Sequence, residues 1–193
     1  MVLDVPHSPA ASTARFAAVE QRLAPLFALV LLTAACALAS FVLACATPFA
    51  AFAVVAAAML PLRSALAVVA AAWIVNQAIG FGCLGYPIDT TTILWGFAIG
   101  TAALVATAAS TFVLRRSRRT GNPVALGSAF IAAYATYELI LLAATPILGG
   151  AGSFTLAIIG RLGIVSLLWL IGLVAACEVF RLLNPIRRSE IAS

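Results

Sequence analysis

Cys83 stands in the middle of Gly80-Phe81-Gly82-Cys83-Leu84-Gly85-Tyr86-Pro87-Ile88-Asp89. A thiol in such a setting has three ordinary uses: half of a disulfide, a metal ligand, or a small packed hydrophobe. Three glycines within six residues allow close backbone approach and unusual dihedrals, and Pro87 fixes the exit. A loop of this kind, running on to Thr92, can fold back toward a membrane interior where it lines a cavity. Cys45 is the other thiol expected at the same end of the molecule, so a Cys45–Cys83 disulfide is one outcome in an oxidising compartment. No CxxC, HxxxH or carboxylate cluster accompanies Cys83, and ordinary zinc or iron–sulfur sites want three or four such ligands.

The second constellation is Glu138 with Arg161. A charge inside a bilayer costs at least about 2.5–3.5 kcal/mol, so each needs a partner, a cavity or a ligand. The two flank the Gly149-Gly150-Ala151-Gly152 turn almost symmetrically, and antiparallel helices rising equally from that turn would bring them to about the same depth. They then form a structural ion pair, or one or both point into a polar cavity, or Arg161 snorkels to a helix end. Asn76, Gln77, Tyr86, Asp89, Tyr134 and Tyr137 gather at the same level, whereas the opposite half offers only Glu178, placed to pair with Arg181. The tyrosines also suit an aromatic belt, and Trp73 and Trp95 read as packing or interface anchors.

Catalytic chemistry is poorly served. The chain holds one histidine, His7, in a polar N-terminal stretch, so no Cys–His or Ser–His couple can be assembled within the apolar segments. An intramembrane enzyme or redox protein working through Cys83 with Glu138 or Asp89 would lack a base of the usual kind. There is no GxxxxGK[ST] loop to bind and split a nucleotide. The expectation is a protein that is not an enzyme.

The elements that must position these residues follow from composition. Of 193 residues, 64% are hydrophobic and 9% charged, against about 25% charged in a soluble domain. A water-soluble globule is thereby excluded, and the length leaves room for about six spans of roughly 20 residues. Apolar runs broken by Pro, Gly and charge predict spans near 24–46, 48–62, 64–82, 93–114, 124–148 and 154–180, with residues 1–23 a cytoplasmic tail. The second span is short, bracketed by Pro48 and Pro61. All eleven basic residues are arginines. Apart from Arg161 they fall before span one, between spans two and three, and after spans four and six, which are alternate connections. This is the positive-inside pattern of six crossings with both termini cytoplasmic; the net charge of +5 is read as topology and not as a nucleic-acid footprint. The first apolar run is too long for a signal peptide's core and no polar mature domain follows it. The expectation is an all-α integral membrane protein of six transmembrane helices in one domain.

A chain of this length with an alanine-rich first helix, both ends inside and an outward polar cluster resembles the substrate-binding S-components of energy-coupling-factor (ECF) vitamin transporters. Within that group, the cysteine of Gly80-Phe81-Gly82-Cys83-Leu84-Gly85-Tyr86-Pro87 is similar to the loop cysteine of the solitary cobalamin-transporting (BtuM-type) members. The resemblance implies an S-component-like bundle in the bacterial inner membrane that binds and moves cobalamin (vitamin B12) or a related corrinoid, entering from the periplasmic side. It implies that Cys83 ligates the corrinoid cobalt, with loss of cyanide from cyanocobalamin as an incidental step. Tyr86, Asp89, Asn76, Arg161 and Glu138 become candidate substrate-binding residues. It also implies a membrane coupling protein and ATPases docking through the Ala35/Ala39 face, unless the chain acts alone. The competing expectation is a structural or accessory membrane subunit with an intramembrane Glu138–Arg161 ion pair and no small-molecule substrate.

Overall fold

The computed structural model describes residues 22–43, 46–117, 123–150, 152 and 154–183. Cys45, one end of the Cys45–Cys83 disulfide considered above, lies outside them, as do His7, Arg118, Arg119, Arg187 and Arg188; the other end, Cys83, is a free thiol. The described chain is helical: α1 (Ala24–Leu43), α2 (Phe49–Met59), α3 (Leu62–Gly82), α4 (Thr90–Arg116), α5 (Pro123–Leu148) and α6 (Leu156–Leu183), with no strand among the described residues. Five of these are long and apolar enough to cross a membrane; α2 is not. In hydrocarbon every backbone N–H and C=O must find its partner within the protein, which makes the helix the default for runs this apolar.

Prolines and one carboxylate set the boundaries. Leu60 is extended (φ −128°, ψ 153°) because Pro61 follows it, and that ends α2 and starts α3. Asp89 caps α4. Pro123 opens α5 at a position where a missing N–H does no harm. Gly149 and Gly150, both at positive φ, close α5, with the Gly149 N–H donating to the Thr145 carbonyl at 2.8 Å.

Side-chain contacts fix the helix directions. Cys36 meets Ala72 and Ser40 meets Asn76, so α1 and α3 run parallel. Trp73 reaches Gly96 while Gln77 also lies against Gly96 and Trp73 against Gly100, so α4 runs back along α3. Phe52 packs on Trp169 and Met59 on Cys177, so α2 and α6 are parallel to one another. The path therefore alternates from helix to helix. One end, here the upper, carries the α1–α2, α3–α4 and α5–α6 connections. At the lower end sit Arg22, Arg63, Arg115, Arg116 and Arg181.

The core is built around α2. Its 11 residues span about 16 Å, far short of a hydrocarbon thickness of about 30 Å. The span expected over 48–62 thus shrinks to a short internal helix, and every residue from Phe49 to Ala57 is buried. Its alanines let α3, α4, α5 and α6 close around it. The loop expected over Gly80–Thr92 also contracts: Gly80 to Gly82 finish α3 and Thr90 to Thr92 begin α4, leaving residues 83–89.

Candidate functional site

A cavity of ≈ 160 Å³ lies in the upper half of the bundle, where the start of α2 meets α4, α5 and α6. Phe49, Trp95, Tyr134, Tyr137 and Phe154 supply aromatic walls, and Thr47, Glu138 and Ser166 supply the polar atoms. Helical spacing explains the placement. Tyr134, Tyr137, Glu138 and Leu141 form one face of α5, and Ile158, Leu162 and Ser166 recur every fourth residue on α6. Trp95, like Trp73 expected as a packing or interface anchor, lines this cavity; Trp73 serves packing, its indole N–H donating to the Gly96 carbonyl at 2.9 Å.

Tyr134 links α5 to α6. Its hydroxyl donates to the Ile159 carbonyl at 2.6 Å, and the phenol ring passes so near Gly163 that a Cβ there would come within 3.2 Å. The same hydroxyl is in hydrogen-bonding reach of Glu138. A phenol has one proton, so it can serve only one of these two acceptors at a time.

The expected Glu138–Arg161 ion pair is not made. Among the described residues, the single ion pair is Arg181–Glu178 at 2.6 Å, as expected from their spacing. Setting Tyr134 level with Ile159 leaves Arg161 about six residues, or roughly 9 Å, deeper than Glu138. The connection after α5 is not symmetric, because α5 runs to Leu148 while α6 starts only at Leu156. Arg161 is exposed and is not part of the cavity lining.

Asn76 is engaged elsewhere. Its amide donates to Ser40 Oγ and to Thr47 Oγ1, each at 2.9 Å, and its carbonyl accepts from Gln77 Nε2 at 3.1 Å. Ser40 in turn donates to the Cys36 carbonyl at 2.8 Å. Thr47 is the point where this network touches the cavity wall. Asn76 therefore supports the site from behind and has no amide proton left for a ligand.

Cys83, Tyr86 and Asp89 form a separate group above α3 and α4. Cys83 caps α3, its N–H donating to the Ile79 carbonyl at 2.8 Å, and it is exposed and free. Tyr86 folds back: its N–H donates to the Gly80 carbonyl at 3.0 Å and its ring covers Gly80, where a Cβ would sit 2.7 Å from ring carbons. Phe81 stacks edge-on against that ring. Gly85, at φ +68°, provides the reversal. The segment is a compact cap on the bundle and does not re-enter it. Asp89 Oδ1 accepts from the Thr92 N–H at 2.8 Å and Oδ2 from the Thr92 hydroxyl at 3.0 Å. Those bonds hold its carboxyl below the usual carboxylate range, the backbone N–H contributing most.

The small pairs of α1 face inward. Ala28 and Ala39 are wholly buried in the core and Ala24 and Ala35 pack against it, so Ala39 is not available as a docking surface. Cys36 and Cys177 are buried free thiols. One packing signal went unread in the sequence: Gly96-Phe97-Ala98-Ile99-Gly100 is a GxxxG pair, and it brings α4 against Trp73 and Gln77.

Comparison of the chain with protein-family models, with curated proteins and with solved structures finds no match.

Proposed function

We propose that the chain is a multi-pass membrane protein that takes up a vitamin-like small molecule, and that this molecule is cobalamin or a related corrinoid. The observation that carries the reading is Cys83: a free, exposed thiol held by a rigid glycine-and-aromatic cap at the same end of the bundle as the cavity. One thiolate is chemically sufficient for a corrinoid, since the macrocycle brings four nitrogens to cobalt with it. The arginines at the lower end make that end cytoplasmic under the positive-inside rule, so Cys83 and the cavity face the outer compartment, the periplasm in a bacterial inner membrane.

The cavity of ≈ 160 Å³ is several times smaller than a corrinoid. The macrocycle would therefore lie across the upper end, over Cys83 and Tyr86, and not inside the bundle. Ligation is an exchange with no change of oxidation state: the Co–S bond forms, the Co–CN bond breaks, and the thiol proton leaves with cyanide. Energy for transport would come from a coupling protein and ATPases reached by a surface other than Ala39, or the chain works alone.

The test is the visible absorption spectrum of protein expressed with cobalamin and purified in detergent, wild type beside Cys83→Ala. A bound corrinoid with a shifted band that Cys83→Ala removes is expected. Colourless wild-type protein that binds no added corrinoid overturns the proposal. The accessory-subunit reading has lost its Glu138–Arg161 ion pair, and the cavity gives it no support.

A further inference from the structure

The upper cavity concentrates chemistry that corrinoid capture by Cys83 does not use. Five of its lining residues are aromatic and one, Glu138, is a carboxylic acid; no arginine is among them. Phe49 and Tyr137 form a joint wall with ring centroids 6.4 Å apart. Arg161, the nearest basic residue along α6, is exposed and outside the lining. A half-buried carboxyl at this depth in an apolar bundle is neutralised by a proton or by a cation. Nothing in the wall offers that cation; the Tyr134 hydroxyl, in reach of both Glu138 and the Ile159 carbonyl, gives a hydrogen bond but no positive charge. Aromatic faces carry negative potential and attract ammonium groups, most strongly where water is excluded. The wall is thus doubly suited to positive charge, and doubly hostile to an anion.

Size narrows the class further. A cavity of ≈ 160 Å³ is close to the roughly 150 Å³ that accommodates one benzene-sized molecule. It takes an ammonium with one ring or a few alkyl groups.

We propose that the upper cavity is a binding site for a small organic cation, with Glu138 as counter-ion and Phe49, Trp95, Tyr134 and Tyr137 as its aromatic walls. The site is independent of Cys83, which lies on another element and outside the lining. The ammonium then supplies the positive charge that the wall itself does not offer to the Glu138 carboxylate.

Isothermal titration of the detergent-purified full chain with benzylammonium and with its neutral analogue benzyl alcohol tests this. Wild-type protein should bind benzylammonium at least about tenfold more tightly than benzyl alcohol. Glu138→Gln should weaken benzylammonium at least about tenfold and leave benzyl alcohol within about twofold, and Trp95→Leu should weaken benzylammonium about threefold or more. Equal affinity for the two probes, or no saturable binding of benzylammonium, overturns the proposal with wild-type protein alone, even where a variant fails to fold. Unchanged benzylammonium affinity in a folded Glu138→Gln protein overturns it as well. Cys83→Ala should leave both affinities unchanged, which separates this site from the corrinoid reading.

Discussion

The carboxamide of Asn76 uses both its protons and its oxygen at once, joining α1, the α1–α2 connection and Gln77 of its own helix. Interhelical hydrogen bonds in membranes average about 0.6 kcal/mol and reach about 1.7. Asn76→Leu, which removes two of them between elements, should lower stability by about 1–2 kcal/mol, read by titration of micellar protein with a denaturing detergent; an unchanged midpoint would show the network to be idle. Asp89 makes a prediction in pH. Its carboxyl is held low by the Thr92 N–H, so its capping contribution is present in full above the ordinary carboxylate range, near pH 4, and is lost as pH falls through its lowered value. Thermal unfolding followed down in pH should show wild type losing this increment while Asp89→Asn, which keeps a capping oxygen, does not. At this scale the sequence identified the reactive side chains but not their company. Cys83 and Glu138 stand out by type alone. That Asn76 is saturated, that Asp89 is a cap and that Arg161 misses Glu138 depend on rotamers and register, which residue spacing does not encode.

Among elements, α4 carries the closest approach. A Cβ on Gly100 would fall 2.6 Å from the Trp73 ring, a rigid neighbour itself pinned by its hydrogen bond to Gly96, whereas one on Gly127 meets nothing within 4 Å. Gly100→Ala should therefore destabilise by about 1–3 kcal/mol through overpacking, and Gly127→Ala should be neutral or slightly stabilising. The same unfolding titration separates them, and equal effects would contradict the packing described. Hydropathy located all five long helices to within a few residues, because Pro, Gly and charge interrupt the apolar runs where the chain turns. It could not give the relative height of α5 and α6. A glycine-rich turn looks symmetric on paper, yet α5 continues to Leu148, far past Tyr134, while α6 begins at Leu156, just before Ile159, and that offset carries Arg161 away from Glu138.

For the molecule as a whole, charge and thiol placement give a test of orientation. Among the described cysteines Cys83 alone is exposed, and it lies at the end opposite Arg22, Arg63, Arg115, Arg116 and Arg181. In a Cys45→Ser background, a membrane-impermeant thiol reagent should label intact cells at Cys83 and leave Cys36 and Cys177 untouched. Labelling that needs permeabilised cells would invert the topology and turn the cavity inward. The alternation of arginine-bearing connections was readable from sequence, because positive charge resists translocation whatever the packing; the centre of the bundle was not, since a run of alanines reads alike on a lipid-facing helix and on a wholly enclosed one. That enclosed helix has a consequence for biogenesis. At 11 residues α2 is too short to leave a translocation channel as an independent span, and the helices that surround it include α4, α5 and α6, which are synthesised later. The nascent chain must hold α2 in reserve, tethered between α1 and α3, until the last helix emerges. A ribosome stalled after α3 would thus leave a segment too short to cross the bilayer and too apolar for water.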